Sequence, residues 1–182
     1  MASLVEVVLN PGEFCFGGAD TRIHTLLGSC VSITLWHPRK RVGGMCHYML
    51  PTRRLPGPAR HLDGRYADHA LRMFLHEIGR HGTRPSEYVA RMFGGGNQFP
   101  PAQRRGRAPD VARDNIDAGL ALLDRHGFHL AETHLGGRGA RRLSFDVATG
   151  DVVLQAAVRA ASTDEPVWSR GQRARGGNGT PA

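Results

Sequence analysis

The pattern of apolar and polar positions predicts a chain built mostly from short strands. Short apolar runs that end at Gly, Pro, Asn or Asp are typical of strands. Here they span residues 5–9, 13–18, 31–36, 43–50, 88–93, 128–133, 143–147 and 152–158. Residues 19–25 are interpreted as a segment that leads from the second run into a turn.

Two longer stretches predict helices, because their apolar residues recur on one helical face. Those faces are formed by Leu71, Phe74, Leu75 and Ile78 in the first stretch, and by Ala112, Ile116, Leu120 and Leu123 in the second, which spans about residues 111–125. Gly82 and Gly127 lie where the two helices would end.

The order of these elements indicates the fold class. Strands outnumber helices and do not alternate strictly with them, which is typical of an α+β protein with mixed or largely antiparallel sheets. The runs 31–36 and 43–50 are separated by a short polar turn, so we expect an antiparallel hairpin. The runs 143–147 and 152–158 predict a second hairpin near the end of the domain.

The length of 182 residues suits one domain with a sizeable core. We assign residues 1–160 to this domain. Residues 161–182 are rich in Gly, Arg, Ser and Pro and are predicted to form a disordered tail.

The net charge of +8 comes almost entirely from arginine and favours acidic partners. No motif of a known nucleic-acid-binding module accompanies it, so no nucleic-acid partner is predicted. No run approaches the ~20 apolar residues of a membrane span, so no insertion into a membrane is expected. The three cysteines and the absence of a secretory leader favour a protein of the reducing cytoplasm without disulfides.

One of these cysteines follows a turn that suits catalysis. Cys30 comes directly after Leu27-Gly28-Ser29 and begins a predicted strand. A cysteine at that place is most often a buried structural residue. The small residues before it, however, would leave the backbone N–H groups of the turn exposed, as an oxyanion hole requires. The predicted hairpin could bring His47 close enough to act as a base.

Four sequence blocks in this order resemble the CheD family, the chemoreceptor glutamine deamidases of bacterial chemotaxis. The blocks read LGSCV at 27–31, GGMCHYMLP at 43–51, FGGGN at 93–97 and LGGRGARR at 135–142. The resemblance covers roughly residues 10–155. It implies a layered β core with helices outside, and hydrolysis of glutamine side-chain amides on chemoreceptors to give glutamate.

The resemblance also implies the roles of individual residues. Cys30 would be the nucleophile and His47 the base, with Thr25 orienting His47. A neighbouring imidazolium would lower the pKa of the Cys30 thiol below its ordinary value of ~8.5. If His47 were not the base, His24, His61 and His69 would be the next histidines to test.

Other residues receive weaker assignments. Backbone groups at Gly28 and Ser29 would hold the oxyanion, and Asn97 would either contact the substrate amide or stabilise its own turn. No cofactor or metal is predicted, because a zinc site from Cys30, Cys46 and His47 would lack the usual ligand spacing. We expect Cys46 to point away from His47 and to be structural.

The expected partners are the cytoplasmic domains of chemoreceptors, and the resemblance implies a CheC-type phosphatase as a second partner. The alternative function is a non-catalytic adaptor that keeps the fold and binds receptors or the phosphatase. An adaptor has no need of a paired cysteine and histidine, so the sequence favours the enzyme.

Overall fold

The computed structural model describes residues 3–53, 61–96 and 110–157. These residues form nine strands and two helices, with a 3₁₀ turn at Pro85–Glu87. In chain order the elements are β1 (Val5–Leu9), β2 (Phe14–Gly17), β3 (Thr21–Leu27), β4 (Val31–His37), β5 (Val42–Tyr48), α1 (Ala67–Arg80), β6 (Val89–Gly94), α2 (Val111–Arg125), β7 (His129–Leu135), β8 (Arg141–Asp146) and β9 (Val152–Ala156).

The strands form two mixed sheets. The four-stranded sheet has the order β1-β3-β8-β9, and the five-stranded sheet has the order β2-β5-β4-β6-β7. Most neighbours are antiparallel, whereas β1 pairs with β3 and β6 with β7 in parallel. The predicted α+β class with mixed sheets is confirmed.

The five-stranded sheet lies in the middle of three layers, with the helices on one face and the four-stranded sheet on the other. A helix-side core packs Val31, Ile33 and Leu35 of β4 against residues of α1 that include Phe74. A second core, the inter-sheet core, joins the two sheets and contains Ile23, Leu27, Met45, Phe93 and Phe145. β4 is buried on both faces, and its inter-sheet face carries the polar Ser32 and Thr34 between the apolar residues of the helix side.

Both predicted hairpins are confirmed, since β4 pairs with β5 and β8 with β9 in antiparallel register. The interpretation of residues 19–25 as a simple lead into a turn is wrong, because most of them form β3, an inner strand of the four-stranded sheet. Its inward positions include the polar Thr21 and Thr25, while the apolar Leu26 faces solvent. This inversion hides the alternation that normally identifies a strand.

The predicted bounds of α2 agree with the structure, but its most buried face is shifted from the predicted one. Leu123 is buried as expected, whereas Ile116 and Leu120 are only half-buried, and the other fully buried positions are Asn115 and Gly119. The hydroxyl of Tyr48 lies so close to Gly119 that an added Cβ would approach it to 2.3 Å. A polar residue and a glycine at the deepest positions could not be recognised by an apolar period.

No helix in the described part of the chain has the length and apolar character needed to cross a membrane. The predicted tail at residues 161–182 and the candidate residue Asn97 lie outside the described residues.

Candidate active site

The cysteine turn is the connection between the two sheets. Leu27 ends β3 in the four-stranded sheet, and Val31 begins β4 in the five-stranded sheet. Gly28, Ser29 and Cys30 span the gap, and all three are half-buried. Cys30 packs against the inter-sheet core. The thiol therefore lies at the edge of the inter-sheet core, while the turn that carries it remains partly exposed.

His47 lies on the same face of the five-stranded sheet as the turn. It is 2% exposed and pairs across β4–β5 with Ser32. Cys30 comes two positions before Ser32, which makes it a diagonal neighbour of His47. Such neighbours lie ~7–8 Å apart at Cα, within reach of long side chains. The hairpin thus brings the predicted nucleophile and base to one place.

Thr25 reaches His47 from the other sheet. Its Oγ1 lies 2.8 Å from His47 Nδ1 and also donates to the carbonyl oxygen of Leu9 at 2.8 Å. A hydroxyl has one proton, and a carbonyl can only accept. Since the hydroxyl of Thr25 donates to the Leu9 carbonyl, Nδ1–H of His47 must donate to Thr25 Oγ1. The neutral imidazole then keeps the lone pair of Nε2 free, as a general base requires.

The Nε2 atom is buried and has no hydrogen-bond partner among the described residues. The thiol of Cys30 therefore does not hydrogen-bond to it in this structure. Burial lowers the pKa of His47, although the carbonyl of Leu9 and the carboxylate of Glu13 oppose the change.

The expected lowering of the Cys30 pKa is not found. Burial raises the pKa of the Cys30 thiol above its ordinary value. The cause is the same one that acts on His47, because a dry interface disfavours the charged forms of both groups. The resting pair is a neutral thiol beside a neutral imidazole.

The backbone of the cysteine turn is held by the first glycine loop, Gly94–Gly96. The N–H of Gly95 donates to the Cys30 carbonyl and that of Gly96 to the Gly28 carbonyl, each at 2.8 Å. Within the described residues, the N–H groups of Ser29 and Cys30 take part in no hydrogen bond. Two unbonded N–H donors on the turn that carries the thiol are groups of the kind that bind an oxyanion.

Gly94 cannot be replaced without moving this turn. Its φ of +111° is one that other residues rarely adopt, and an added Cβ would lie 2.3 Å from the Cys30 carbonyl oxygen.

The other cysteines lie apart from this arrangement. Cys46 is fully buried in the helix-side core, on the face of β5 opposite to His47, and burial raises its pKa to about 12. The expectation that it points away from His47 agrees with the structure, and a zinc site shared by Cys46 and His47 is geometrically excluded. Cys15 packs against the inter-sheet core from β2.

Two of the alternative histidines face elsewhere. His24 is next to Thr25 on β3 and therefore points to the outer face of the four-stranded sheet, where its side chain is 33% exposed. His69 accepts a hydrogen bond from the Asp63 N–H at 3.0 Å.

No pattern in the sequence indicates the turn that holds His47 in place. Gly12 N–H donates to the carbonyl of His47 at 2.7 Å, and the N–H of His47 donates to the Glu13 carbonyl at 3.0 Å. Leu9, which directly precedes the turn, supplies the carbonyl oxygen that accepts the hydrogen bond of Thr25. The Asn-Pro-Gly motif at 10–12 marks a turn in the sequence, but nothing in it shows what the turn contacts.

Comparisons with known proteins show the family of the chain. The sequence model of the family described as CheD, chemotactic sensory transduction, matches residues 49–156. A protein of Dechloromonas aromatica named as a probable chemoreceptor glutamine deamidase is 52% identical over 153 residues, which cover 84% of this chain and 88% of the relative.

Further relatives carry the same name. The protein from Pseudomonas fluorescens is 48% identical over 148 residues, covering 81% of this chain and 82% of its own. A protein from Leptospira interrogans is 32% identical over 160 residues, covering 84% of this chain and 93% of its own. The chain therefore belongs to the CheD family.

Proposed function

We propose that this chain is a cysteine amidohydrolase that converts glutamine side chains of chemoreceptors to glutamate, with Cys30, His47 and Thr25 as its catalytic machinery. The observation that carries the proposal is the hydrogen bond between Thr25 and His47, which leaves a buried Nε2 lone pair on the face of the sheet where Cys30 lies. The names of the relatives, all probable chemoreceptor glutamine deamidases, supply the substrate.

The first half of the reaction forms a thioester. His47 Nε2 removes the thiol proton as Cys30 Sγ attacks the carboxamide carbon. Since burial keeps both groups neutral at rest, proton transfer accompanies the attack and no preformed ion pair is needed. The N–H groups of Ser29 and Cys30 hold the oxyanion. The C–N bond then breaks, and the imidazolium returns its proton to the departing ammonia.

The second half releases glutamate. His47 takes a proton from water, whose oxygen attacks the thioester carbon. The C–S bond breaks, and the proton passes from His47 to Cys30 Sγ. The net reaction is glutamine plus water to glutamate plus ammonia. Thr25 keeps the imidazole in one tautomer and orientation throughout both halves.

The cytoplasmic helices of receptors fit as the substrate surface. Their new glutamates would become sites for methylation, which would adjust adaptation in chemotaxis. The strongly basic chain would attract acidic receptor surfaces, consistent with action in the cytoplasm. A CheC-type phosphatase is the proposed second partner.

Mass spectrometry of a receptor cytoplasmic fragment tests the proposal. Incubation with the chain should produce peptides in which OH has replaced NH₂ at particular glutamines. Cys30→Ala should abolish the change, whereas the matched Cys15→Ala variant should retain it. Binding of the fragment without any mass change would contradict the enzyme and favour the adaptor.

A further inference from the structure

Arg141 is a buried arginine whose described partners are all neutral. It begins β8 and is 7% exposed, and burial lowers its pKa. Among the described residues no carboxylate forms an ion pair with it. Leaving a buried guanidinium without an anion is costly, so its hydrogen bonds must compensate.

Those hydrogen bonds all go to backbone carbonyls in the two glycine-rich segments. Nη1 donates to the carbonyl of Gly94 at 3.2 Å and to that of His134 at 3.0 Å, and Nη2 donates to the carbonyl of Gly136. Gly136 N–H also donates to the Gly94 carbonyl at 2.9 Å. One planar fork therefore joins the ends of β6 and β7 to the start of β8.

The Gly94 carbonyl is the link to the cysteine turn. It belongs to the same planar peptide unit as the N–H of Gly95, which donates to the Cys30 carbonyl. Fixing the oxygen end of this unit fixes the direction of its N–H end.

A second hydrogen bond from the first glycine loop orients one of the proposed oxyanion donors. Gly96 N–H holds the Gly28 carbonyl, and that carbonyl shares a peptide plane with the N–H of Ser29. A continuous series of hydrogen bonds and peptide units thus runs from the guanidinium through the first glycine loop to an N–H that would contact the oxyanion.

We propose that Arg141 is a positioning residue that aims the oxyanion-binding N–H of Ser29 by holding the first glycine loop against the cysteine turn. The inference rests on the proposed deamidase function. It assigns Arg141 no contact with the substrate, so the residue should affect the chemical step more than substrate binding.

The variant Arg141→Lys tests this role. Lysine keeps the positive charge, but it cannot span three carbonyls with a planar fork. Removing an oxyanion donor costs ~10²–10³ in kcat, so we expect misaiming one to lower kcat roughly 10-fold to 10²-fold with KM nearly unchanged. Alkylation of Cys30 by iodoacetamide forms no oxyanion and should keep its wild-type rate.

Arg142→Lys is the matched control. Arg142 is the next residue of β8, and its side chain is exposed on the outer face of the sheet. This variant should match the wild type in kcat, KM and alkylation rate. Should Arg141→Lys fail to fold, Arg141→Gln, which removes the buried charge and keeps a planar NH₂ donor, is assayed in the same way.

Amide hydrogen exchange supplies a readout that does not depend on deamidation. In Arg141→Lys the amides of Gly95 and Gly96 should exchange faster than in the wild type, while amides in α1 are unchanged. Unchanged exchange at both glycines overturns the proposal. So does a wild-type kcat, or an equal fall in alkylation and deamidation, since that indicates general loss of packing. A wild type that deamidates nothing contradicts the proposed function instead, and the exchange rates then decide the role of Arg141 alone.

Discussion

At the scale of single residues, Thr25, the carbonyl of Leu9 and burial together set the protonation state of His47. The hydroxyl of Thr25 donates its hydrogen bond to the carbonyl of Leu9, so it can only accept a hydrogen bond from His47. Burial in the inter-sheet region then keeps the imidazole neutral. An uncharged hydroxyl and a backbone carbonyl thus orient the imidazole of the proposed base.

Replacing this hydroxyl should impair catalysis without unfolding the chain. Thr25→Val keeps the shape of the side chain but leaves Nδ1–H without its partner, so either nitrogen of the imidazole can carry the proton. General base catalysis contributes ~10²–10⁴ in rate, and we expect kcat to fall by at least ~10-fold. Thr25→Ser, which retains the hydroxyl, should stay within a few-fold of wild type. Equal activity of the valine and serine variants would contradict the role given to Thr25.

The pH dependence of the reaction should reflect the shifted pKa values of His47 and Cys30. Because burial lowers the pKa of His47, the imidazole remains a base to lower pH than a free histidine. The acid limb of kcat/KM should therefore lie below pH ~6.5. Because burial raises the pKa of Cys30, its alkylation by iodoacetamide should reach half its maximal rate above pH ~8.5. A midpoint below that of a free cysteine would show that an imidazolium–thiolate pair exists.

His47→Ala separates these two effects. Deamidation should fall by ~10²-fold or more, because the variant removes the proposed acceptor of the thiol proton. Alkylation at high pH, where hydroxide forms the thiolate, should be unaffected. A comparable loss in both assays would mean that His47 supports the turn and is not the base.

The sequence could identify Cys30 and His47 because both stand in motifs, but it could not assign Arg141 a role. An arginine at a strand start usually faces solvent, as Arg142 does. Only the fold shows that Arg141 points inward to three carbonyls. The raised pKa of Cys30 was equally hidden, since burial depends on residues distant in sequence.

At the scale of elements, the first glycine loop and the cysteine turn behave as one unit. Their hydrogen bonds join the end of β6 to the entry of β4, so neither can move without the other. The three glycines at 94–96 suggest a flexible loop when read in the sequence. In the structure Gly94 allows the loop backbone to approach the backbone of Cys30 more closely than a side chain would permit.

A pair of glycine substitutions tests this coupling. Gly94→Ala and Gly127→Ala both place a Cβ at positive φ, with +111° and +71° respectively. Strain of this kind costs ~1–3 kcal/mol at either site. Around Gly127 the added atom meets nothing within 4 Å, so that variant should lose stability only. Gly94→Ala should also lose most deamidation per folded molecule. Full activity in folded Gly94→Ala would show that the loop does not position the turn.

At the scale of the whole molecule, the apolar pattern predicted the fold class and both hairpins, but not how the sheets pack. The pairings that assemble the site are long in sequence: β1 lies parallel to β3, and β3 pairs with the distant β8. Such contacts leave no local signature. The resemblance to a family supplied the layered core and the expected link between Thr25 and His47, which the apolar pattern could not have indicated.

The three cysteine thiols should make the stability of the fold sensitive to high pH. Burial raises the pKa of Cys15, Cys30 and Cys46, the last to about 12. A raised pKa in the folded state contributes stability that is complete below the unfolded value of ~8.5 and is lost as pH rises towards the folded value. The free energy of unfolding, and with it the melting temperature, should thus fall above pH ~8.5, at up to ~1.4 kcal/mol per pH unit for the fully buried Cys46 thiol.

A substitution at Cys46 measures how much this thiol contributes to the loss of stability at high pH. Cys46→Ala will lower the melting temperature at pH 7, because it removes a fully buried side chain. Its further decline between pH 8.5 and pH 11 should nevertheless be shallower than that of the wild type. Parallel declines would show that the Cys46 thiol does not ionise before the chain unfolds.

The hydrogen bond between Thr25 and His47 has its two ends on different sheets. A small slip between these layers would separate the atoms while every strand kept its own ladder. Openings of this kind cost less than complete unfolding. The working temperature of the enzyme would then be limited by interlayer slip, well before any spectroscopic melt. Substitutions at Met45 or Phe93, which pack between the two sheets, would then lower activity before they unfold the chain.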